Sequence, residues 1–132
     1  MQPILKIWYD TLKEEGKIKG LKCKDCGAVE FPPVPVCNDC GKFDMDWVEM
    51  SGEGELVSFA FSPMGIAPYH ENPVMIGFVR LKEGMLFSST LLDLKAEDQP
   101  VLLERLKEGN IPVELTVQPL DDTIHFPMIR LV

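Results

Sequence analysis

All four cysteines of the chain lie in one short stretch, CKDCGAVEFPPVPVCNDCG, at residues 23–41. They form two Cys-x-x-Cys-Gly pairs, Cys23 with Cys26 and Cys37 with Cys40, which are separated by ten residues. Each pair is typical of a knuckle, a turn whose backbone amides point at the sulfurs and whose glycine lets the turn close. Two facing knuckles would surround one ion with four thiolates at about 2.3 Å.

Three kinds of sulfur chemistry compete for this pattern. A redox dithiol needs only one pair, within a βαβ pattern that does not surround these residues. Disulfides fit neither the clustering nor the cytoplasmic location that we expect, because the chain shows no signal-peptide pattern and no apolar run of membrane-spanning length. Among metals, iron is the alternative, but the knuckles of rubredoxins are usually separated by a longer insert. The sequence therefore predicts a structural zinc site with all four positions filled by protein.

The remaining polar residues do not indicate catalysis. Once a metal is bound, no cysteine is left as a nucleophile. His70 lies in a proline-bounded loop at residues 63–73 and His125 in a predicted strand, and neither has a serine or cysteine partner nearby in the sequence. The chain has no glycine motif that cradles phosphate. We therefore expect no enzyme activity from the chain alone.

Charge narrows the binding functions. The chain has twenty-one acidic and thirteen basic residues, which gives a net charge of −8, so it is a poor general binder of polyanions. One basic run without an acid leads into the first knuckle: Lys17, Lys19, Lys22 and Lys24.

The segment before the cysteines predicts a helix. Ile4, Leu5, Trp8 and Leu12 recur at helical spacing, Pro3 is tolerated at the start, and Gly16 is a plausible end. The exposed Trp-Tyr pair expected on this helix would either pack on the rest of the chain or serve as a docking arm. Residues 46–55 look like a connector.

Five strands and one helix are predicted after the connector. Alternating or apolar runs mark strands at 55–63, 74–81, 85–94, 111–120 and 123–132. Lys82, Glu83 and Gly84 form a hairpin turn, and residues 97–109 form a helix with Val101, Leu102 and Leu106 as its apolar face. Five strands with a helix between the third and fourth are typical of an OB-fold, a small and partly open barrel.

The predicted fold class is therefore mostly β, with an N-terminal helix, a rubredoxin-like zinc ribbon and a five-stranded OB-fold barrel. The predicted domains are the helix at 1–16, the ribbon at 17–50 and the barrel at 51–132. We expect the barrel to have a core separate from that of the ribbon.

The motifs together resemble a known family, the zinc-ribbon/OB-fold acyl-CoA-associated proteins, formerly a domain of unknown function. The resemblance covers nearly the whole chain and includes EEGKIKGLKCKDCG, EFPP, CNDCG, SGEGELVSFAFSP and VMIGFVRLKEG. One departure is that relatives commonly have an arginine after the two prolines, where this chain has Val34. A role of that arginine toward phosphate or partner would be missing or reassigned here.

The resemblance implies a non-catalytic accessory subunit. Members of the family associate with thiolases, with hot-dog hydratases or with hydroxymethylglutaryl-CoA (HMG-CoA) synthase, and one in archaea is thought to bridge thiolase and synthase in the mevalonate pathway. The expected ligand is CoA or acyl-CoA, and the expected phosphate contacts are the four lysines of the basic run. The acyl arm would then run past Met64, Ile66 and Tyr69 in the loop at 63–73.

The alternative is a single-stranded nucleic-acid-binding module, since zinc ribbons and OB-folds often bind nucleic acid. The predicted barrel strands carry few bases: Arg80, Lys82 and Arg130. Phe59, Phe61, Phe78 and Phe87 would have to stack on bases rather than pack in the core.

Overall fold

The computed structural model describes residues 3–63 and 73–132. Its elements follow in this order: α1 (Pro3–Glu15), β1 (Lys19–Cys23), β2 (Val29–Glu30), β3 (Met45–Glu49), β4 (Glu53–Ser62), β5 (Val74–Leu81), β6 (Leu86–Thr90), α2 (Gln99–Glu108), β7 (Pro112–Pro119) and β8 (His125–Leu131). A 3-10 turn at Ala96–Asp98 leads into α2.

The first sheet forms the ribbon. Its order is β2-β1-β3, and β1 pairs antiparallel with both neighbours. Most of the predicted connector at 46–55 is wrong, because residues 46–49 belong to β3 and residues 53–55 begin β4. The connector between the ribbon and the barrel consists only of Met50 to Gly52, because β3 ends at Glu49 and β4 begins at Glu53.

The second sheet is a nearly closed barrel. Its order is β6-β5-β4-β7-β8, and a parallel bridge between Leu91 and Ile129 joins its two edges. With α2 between the third and fourth barrel strands, this is the OB-fold arrangement, and the predicted fold class is confirmed. The hairpin at residues 82–84 is also confirmed: Gly84 adopts a φ of +109°, and the Leu81 amide donates to the Met85 carbonyl at 2.9 Å.

Strand β4 does not keep the simple alternation that its sequence predicts. A β-bulge between Leu56 and Ser58 places an extra residue, Val57, on the outer side of the barrel. As a result Leu56, Phe59 and Phe61 all pack with the core, although Leu56 has the opposite parity in the sequence.

Helix α1 packs on the chain through its tryptophan. Trp8 is 1% exposed, and its indole nitrogen donates to the Lys19 carbonyl at 2.7 Å. The expectation of an exposed Trp-Tyr pair is therefore wrong for Trp8, whereas the predicted limits of the helix, Pro3 and Gly16, agree with the structure. The helix lies against β8 and β7, where the Trp8 ring meets Phe126 at a centroid distance of 5.7 Å.

The region between β6 and β7 differs in two ways from its prediction. Strand β6 ends at Thr90, and the chain then turns through Asp93 at a φ of 63°, so the predicted strand to residue 94 is too long. On α2, Leu102 is buried, but Val101 is 66% exposed and does not belong to the inward face.

One apolar core runs through all three parts of the chain. Trp8 of α1, Phe31 after β2, and barrel residues such as Val79 and Ile129 belong to the same buried cluster. The Phe31 ring lies 4.9 Å from that of Phe87 on β6 and 5.9 Å from that of Trp8. The expectation of a separate barrel core is wrong, because the residue that follows the first knuckle fills the gap between helix and barrel.

Candidate metal centre

The two knuckles have nearly the same backbone geometry. The Gly27 amide donates to the Cys23 carbonyl at 2.9 Å, and the Gly41 amide donates to the Cys37 carbonyl at 2.8 Å. Both glycines adopt positive φ, +80° and +76°, a conformation that L side chains rarely take. The Cys-x-x-Cys-Gly spacing therefore produces the turn that it predicts.

The knuckles bring the four sulfurs into one cluster. Cys23 and Cys37 are buried, Cys26 and Cys40 are exposed, and all four Sγ atoms lie within 4.8 Å of one another. The Cys23–Cys40 and Cys26–Cys37 Sγ distances are 3.6 and 3.5 Å. Sulfurs at about 2.3 Å from a tetrahedral zinc ion are separated by about 3.8 Å. The donor set and its size thus fit one tetrahedral ion with four thiolate ligands.

In the first knuckle the pKa of one cysteine, Cys23, is lowered, and the pKa of the other, Cys26, is raised. The Cys26 amide donates toward Cys23 and is the main reason that the pKa of Cys23 is lowered to about 7. At Cys26 the largest influence, the Ala28 amide, lowers the pKa, but the Cys37 thiol and burial act in the opposite direction. The pKa of Cys26 is raised to about 12 as a result.

In the second knuckle, opposing influences likewise act on the pKa of Cys40. The Lys42 amide lowers its pKa, but burial and the thiols of Cys23 and Cys37 outweigh that effect and raise it. Four thiolates this close repel one another, so without a cation the cluster retains protons. A divalent ion would offset the repulsion among the thiolates, and metal binding is therefore coupled to proton release.

Polar contacts hold the two knuckles together. The Glu30 carboxylate accepts hydrogen bonds from the backbone amide and the side-chain amide of Asn38, at 2.8 and 2.9 Å. An ion pair of 3.7 Å links Lys42 of the second knuckle to Asp25 of the first. The sequence patterns did not single out these residues, and only the opposite charges of Asp25 and Lys42 could have indicated a contact.

The basic run does not form one surface. Lys22 on β1 and Lys24, which follows the end of that strand, line the same surface pocket, whereas Lys19 lies on the other side of β1 from Lys22. Lys17 is exposed and precedes the strand. The structure thus brings together two of the four predicted phosphate contacts.

The Lys24 ammonium already has partners. Asp44 and Asp46 each lie 3.5 Å from it, and their charges, Asp44 first, raise its pKa. Lys22 and Lys24 line a shallow surface pocket together with Asp46 and Trp47.

The barrel bases are engaged with acceptors as well. Lys82 pairs with Glu53 at 3.5 Å, and Arg130 pairs with Asp93 at 3.3 Å. Arg80 donates to the Gly84 carbonyl at 2.9 Å. These contacts leave little positive charge for the backbone of a nucleic acid.

The four phenylalanines proposed as stacking residues have different surroundings. Phe87 is buried, and Phe59 and Phe61 pack against the core. Of these four residues, only Phe78 is exposed, and less than half of its surface is open to solvent. A track of stacking aromatics is thus not formed.

Part of the prediction falls on residues that the structure does not describe. Met64, Ile66, Tyr69 and His70 belong to residues 64–72, which lie outside the described residues. His125 begins β8, opposite Pro119 on β7. Among the described residues, no helix is both long enough and apolar enough to cross a bilayer.

Fold and site together define the class: a zinc ribbon followed by an OB-fold barrel. Residues 11–46 match the family model described as "ChsH2, rubredoxin-like zinc ribbon domain". The chain is 31% identical over 99 residues to a "DUF35 domain-containing scaffold protein" of Methanocaldococcus jannaschii, an alignment that covers 72% of this chain and 68% of that protein. The chain belongs to the DUF35 family, and the resemblance seen in its motifs is confirmed.

Two other relatives are subunits of larger proteins or assemblies. The chain is 28% identical over 124 residues to the "Probable enoyl-CoA hydratase alpha subunit" of Thermomonospora curvata, covering 89% of this chain but 39% of that protein. It is 32% identical over 68 residues to the "Benzoylsuccinyl-CoA thiolase subunit BbsA" of Thauera aromatica, covering 52% of this chain and 46% of that protein. The chain thus spans less than half the length of either relative.

A solved structure shares the fold over the full length. The "Ltp2-ChsH2(DUF35) aldolase" structure superimposes with a TM-score of 0.77 at 25% sequence identity, covering 99% of this chain and 96% of that one. The likeness extends from α1 through the ribbon to the last barrel strand.

Proposed function

We propose that this protein is a non-catalytic accessory scaffold for a CoA-dependent enzyme of the thiolase or aldolase type. The observation that carries the proposal is the family: one relative is named as a scaffold, another as a thiolase subunit, and a matching structure as an aldolase with a DUF35 component. An enoyl-CoA hydratase subunit also matches, so a hydratase of that kind is a further candidate partner.

The metal centre supports a structural role. We propose that Cys23, Cys26, Cys37 and Cys40 hold one zinc ion with four protein ligands, which leaves no position for a substrate. This commits every thiol of the chain to the ribbon. The ion would fix the ribbon against α1 and the barrel, which gives a rigid body suited to assembly rather than to turnover.

The finer parts of the proposal concern the ligand and the second partner. We propose that CoA or acyl-CoA contacts the chain at the lysines of the basic run, and that an HMG-CoA synthase type enzyme is one of the enzymes bridged. Lys22 and Lys24 carry most of the CoA proposal, because they line one surface pocket. Lys24 would have to exchange Asp44 and Asp46 for phosphate.

Co-purification tests the scaffold role. The chain is tagged in its native cells, and the enzymes that remain bound are identified by mass spectrometry. We expect a thiolase, an aldolase or a related acyl-CoA enzyme in stoichiometric amount, and we expect no turnover of acyl-CoA by the isolated chain. Turnover by the isolated chain, or the absence of any such enzyme, would contradict the proposal.

Substitution of the basic run tests the CoA contact. Because an exposed lysine contributes little by itself, Lys17, Lys19, Lys22 and Lys24 are changed together to glutamine. We expect CoA binding to the assembled complex to weaken about tenfold, or about 1.4 kcal/mol. If the complex of this variant assembles and binds CoA as tightly as the parent complex, the phosphate site lies elsewhere.

A further inference from the structure

The outward side of β4, β5 and β6 is an apolar face with very few charges. Phe78 on β5 lies opposite Ser58 on β4 and Ser88 on β6. We call this surface the Phe78 face and define it by Val57, Ser58, Ile76, Phe78, Leu86 and Ser88. Glu55 and Arg80, paired across β4 and β5, bound it at one end.

Three apolar side chains of this face are open to solvent. Val57 is 52% exposed, Phe78 is 41% exposed and Leu86 is 58% exposed. Val57 reaches the face only because the bulge in β4 turns it outward. Leu86 on β6 pairs with Arg80, two residues along β5 from Phe78. Single exposed apolar residues are ordinary, whereas apolar residues grouped on one surface are typical of interaction sites.

Another part of the barrel, formed by β7 and β8, is covered by the chain itself. There α1 packs on β7 and β8, and Trp8 meets Phe126 at a centroid distance of 5.7 Å. The chain thus buries one aromatic-bearing barrel surface with its own helix and leaves the Phe78 face exposed. An aromatic ring between two small hydroxyl residues is a suitable anchor for a pocket on a partner.

Charge decides which partner fits. Among the described residues, the cation at the edge of the face is Arg80, and its guanidinium already donates to the Gly84 carbonyl, so these residues offer little to a phosphate backbone. A second copy of the chain would bring another net charge of −8, and two such molecules repel at a distance. A protein with a neutral or positive surface and an apolar pocket is complementary to both features.

We infer that the Phe78 face is the surface that docks on the CoA-dependent enzyme. This inference rests on the proposed function and adds the place of contact and its chemistry: an apolar pocket for Phe78, polar groups for Ser58 and Ser88, and no basic groove. Desolvation of the ring drives the contact, and the few charges keep its cost low.

The test measures binding of the purified thiolase- or aldolase-type enzyme identified by co-purification. Phe78→Asp places a charge at the centre of the face, and the double variant Val57→Ser/Leu86→Ser removes apolar surface without adding charge. Val101→Asp is the matched control, because Val101 is similarly exposed but lies on α2. Melting temperature and zinc content show that each variant is folded.

We expect Phe78→Asp to weaken binding at least tenfold and the double variant to weaken it severalfold, while Val101→Asp binds like the parent. Parent-like binding by both face variants would overturn the inference and leave the proposed function standing. So would a loss seen only with Val101→Asp. A parent protein that sediments as a dimer which Phe78→Asp dissociates would assign the face to a second copy and overturn the inference. A parent protein that binds no such enzyme would instead overturn the proposed function.

Discussion

The ribbon and the barrel are stabilised by different physical forces. The ribbon has three short strands, and two of its buried side chains, Cys23 and Cys37, belong to the thiol cluster. The barrel has five strands around apolar residues such as Leu56, Val79 and Ile129. The proposed zinc ion would therefore replace, in the ribbon, much of the apolar burial that holds the barrel.

The two regions nevertheless share one boundary. Phe31 leaves the ribbon directly after β2 and packs between Trp8 and Phe87. Ile18 and Met50, which flank the ribbon sheet, belong to the same core. The shared core predicts that the ribbon and the barrel unfold together, although different interactions stabilise them.

Removal of the metal is the strongest test of this comparison. Cys37→Ser leaves three thiols and should abolish stoichiometric zinc binding, because the ribbon loses a buried ligand. Since the core is shared, we expect the melting midpoint of the barrel to fall as well, by about 10 °C or more. Metal analysis and calorimetry measure both effects. A barrel that melts at the parental temperature would show that the two cores are independent.

The boundary itself is tested by Phe31→Ala. Truncation of a buried phenylalanine costs about 3–5 kcal/mol, and here the cavity opens onto α1 and the barrel at once. We expect amide protection to fall in β1 and in β6 together, as measured by hydrogen exchange. Phe43→Ala is the control, because Phe43 is 75% exposed and its truncation should change stability by less than about 0.5 kcal/mol.

The pH dependence of zinc affinity tests the ribbon alone. In the metal-free protein the raised pKa values of Cys26, about 12, and of Cys40 keep both thiols protonated near neutral pH. The metal-free state therefore binds more protons than the metal-bound state, so acidification favours release. These two displaced protons alone predict a loss of at least about a hundredfold in affinity per pH unit between pH 8 and pH 7, and any proton lost by another ligand steepens the slope. Competition with a chelating dye gives the slope, and a pH-independent affinity would contradict the mechanism.

The hydrogen bond from Trp8 gives the smallest of the four effects. Trp8→Phe keeps an aromatic ring in the core but leaves the Lys19 carbonyl without its 2.7 Å donor. We expect a loss of about 1–3 kcal/mol in the free energy of unfolding, with zinc content unchanged. Denaturant titration measures the loss. A loss of zinc with an unchanged free energy of unfolding would show instead that Trp8 acts mainly on the ribbon.

Local patterns were sufficient for most of the elements. The two Cys-x-x-Cys-Gly motifs predicted the knuckles, and helical spacing from Ile4 to Leu12 predicted α1 with its correct ends. The order of strands and helix predicted the OB-fold. These features were predictable because each depends on residues close together in the chain. The domain limits at 16/17 and 50/51 stay a prediction.

The bulge in β4 was not predictable from its alternation. One extra residue exchanges the odd-numbered and even-numbered positions that face the core. The position of that residue depends on the pairing of β4 with β5. For the same reason the sequence could not assign Val57 to the outer surface. On α2 the exposure of Val101 depends on how the helix lies against the barrel, which a helical pattern does not contain.

By itself, the sequence determined the two knuckles that bring the four cysteines together, the fold class and the family, since motif spacing and periodicity carry that information locally. Only the tertiary structure decided that Phe31 joins the ribbon to the barrel, that Lys24 is paired with Asp44 and Asp46, and that Phe78 stays exposed. Each of these depends on residues distant in sequence that meet only after folding. Packing and charge pairing between such residues decide which surfaces remain free to bind.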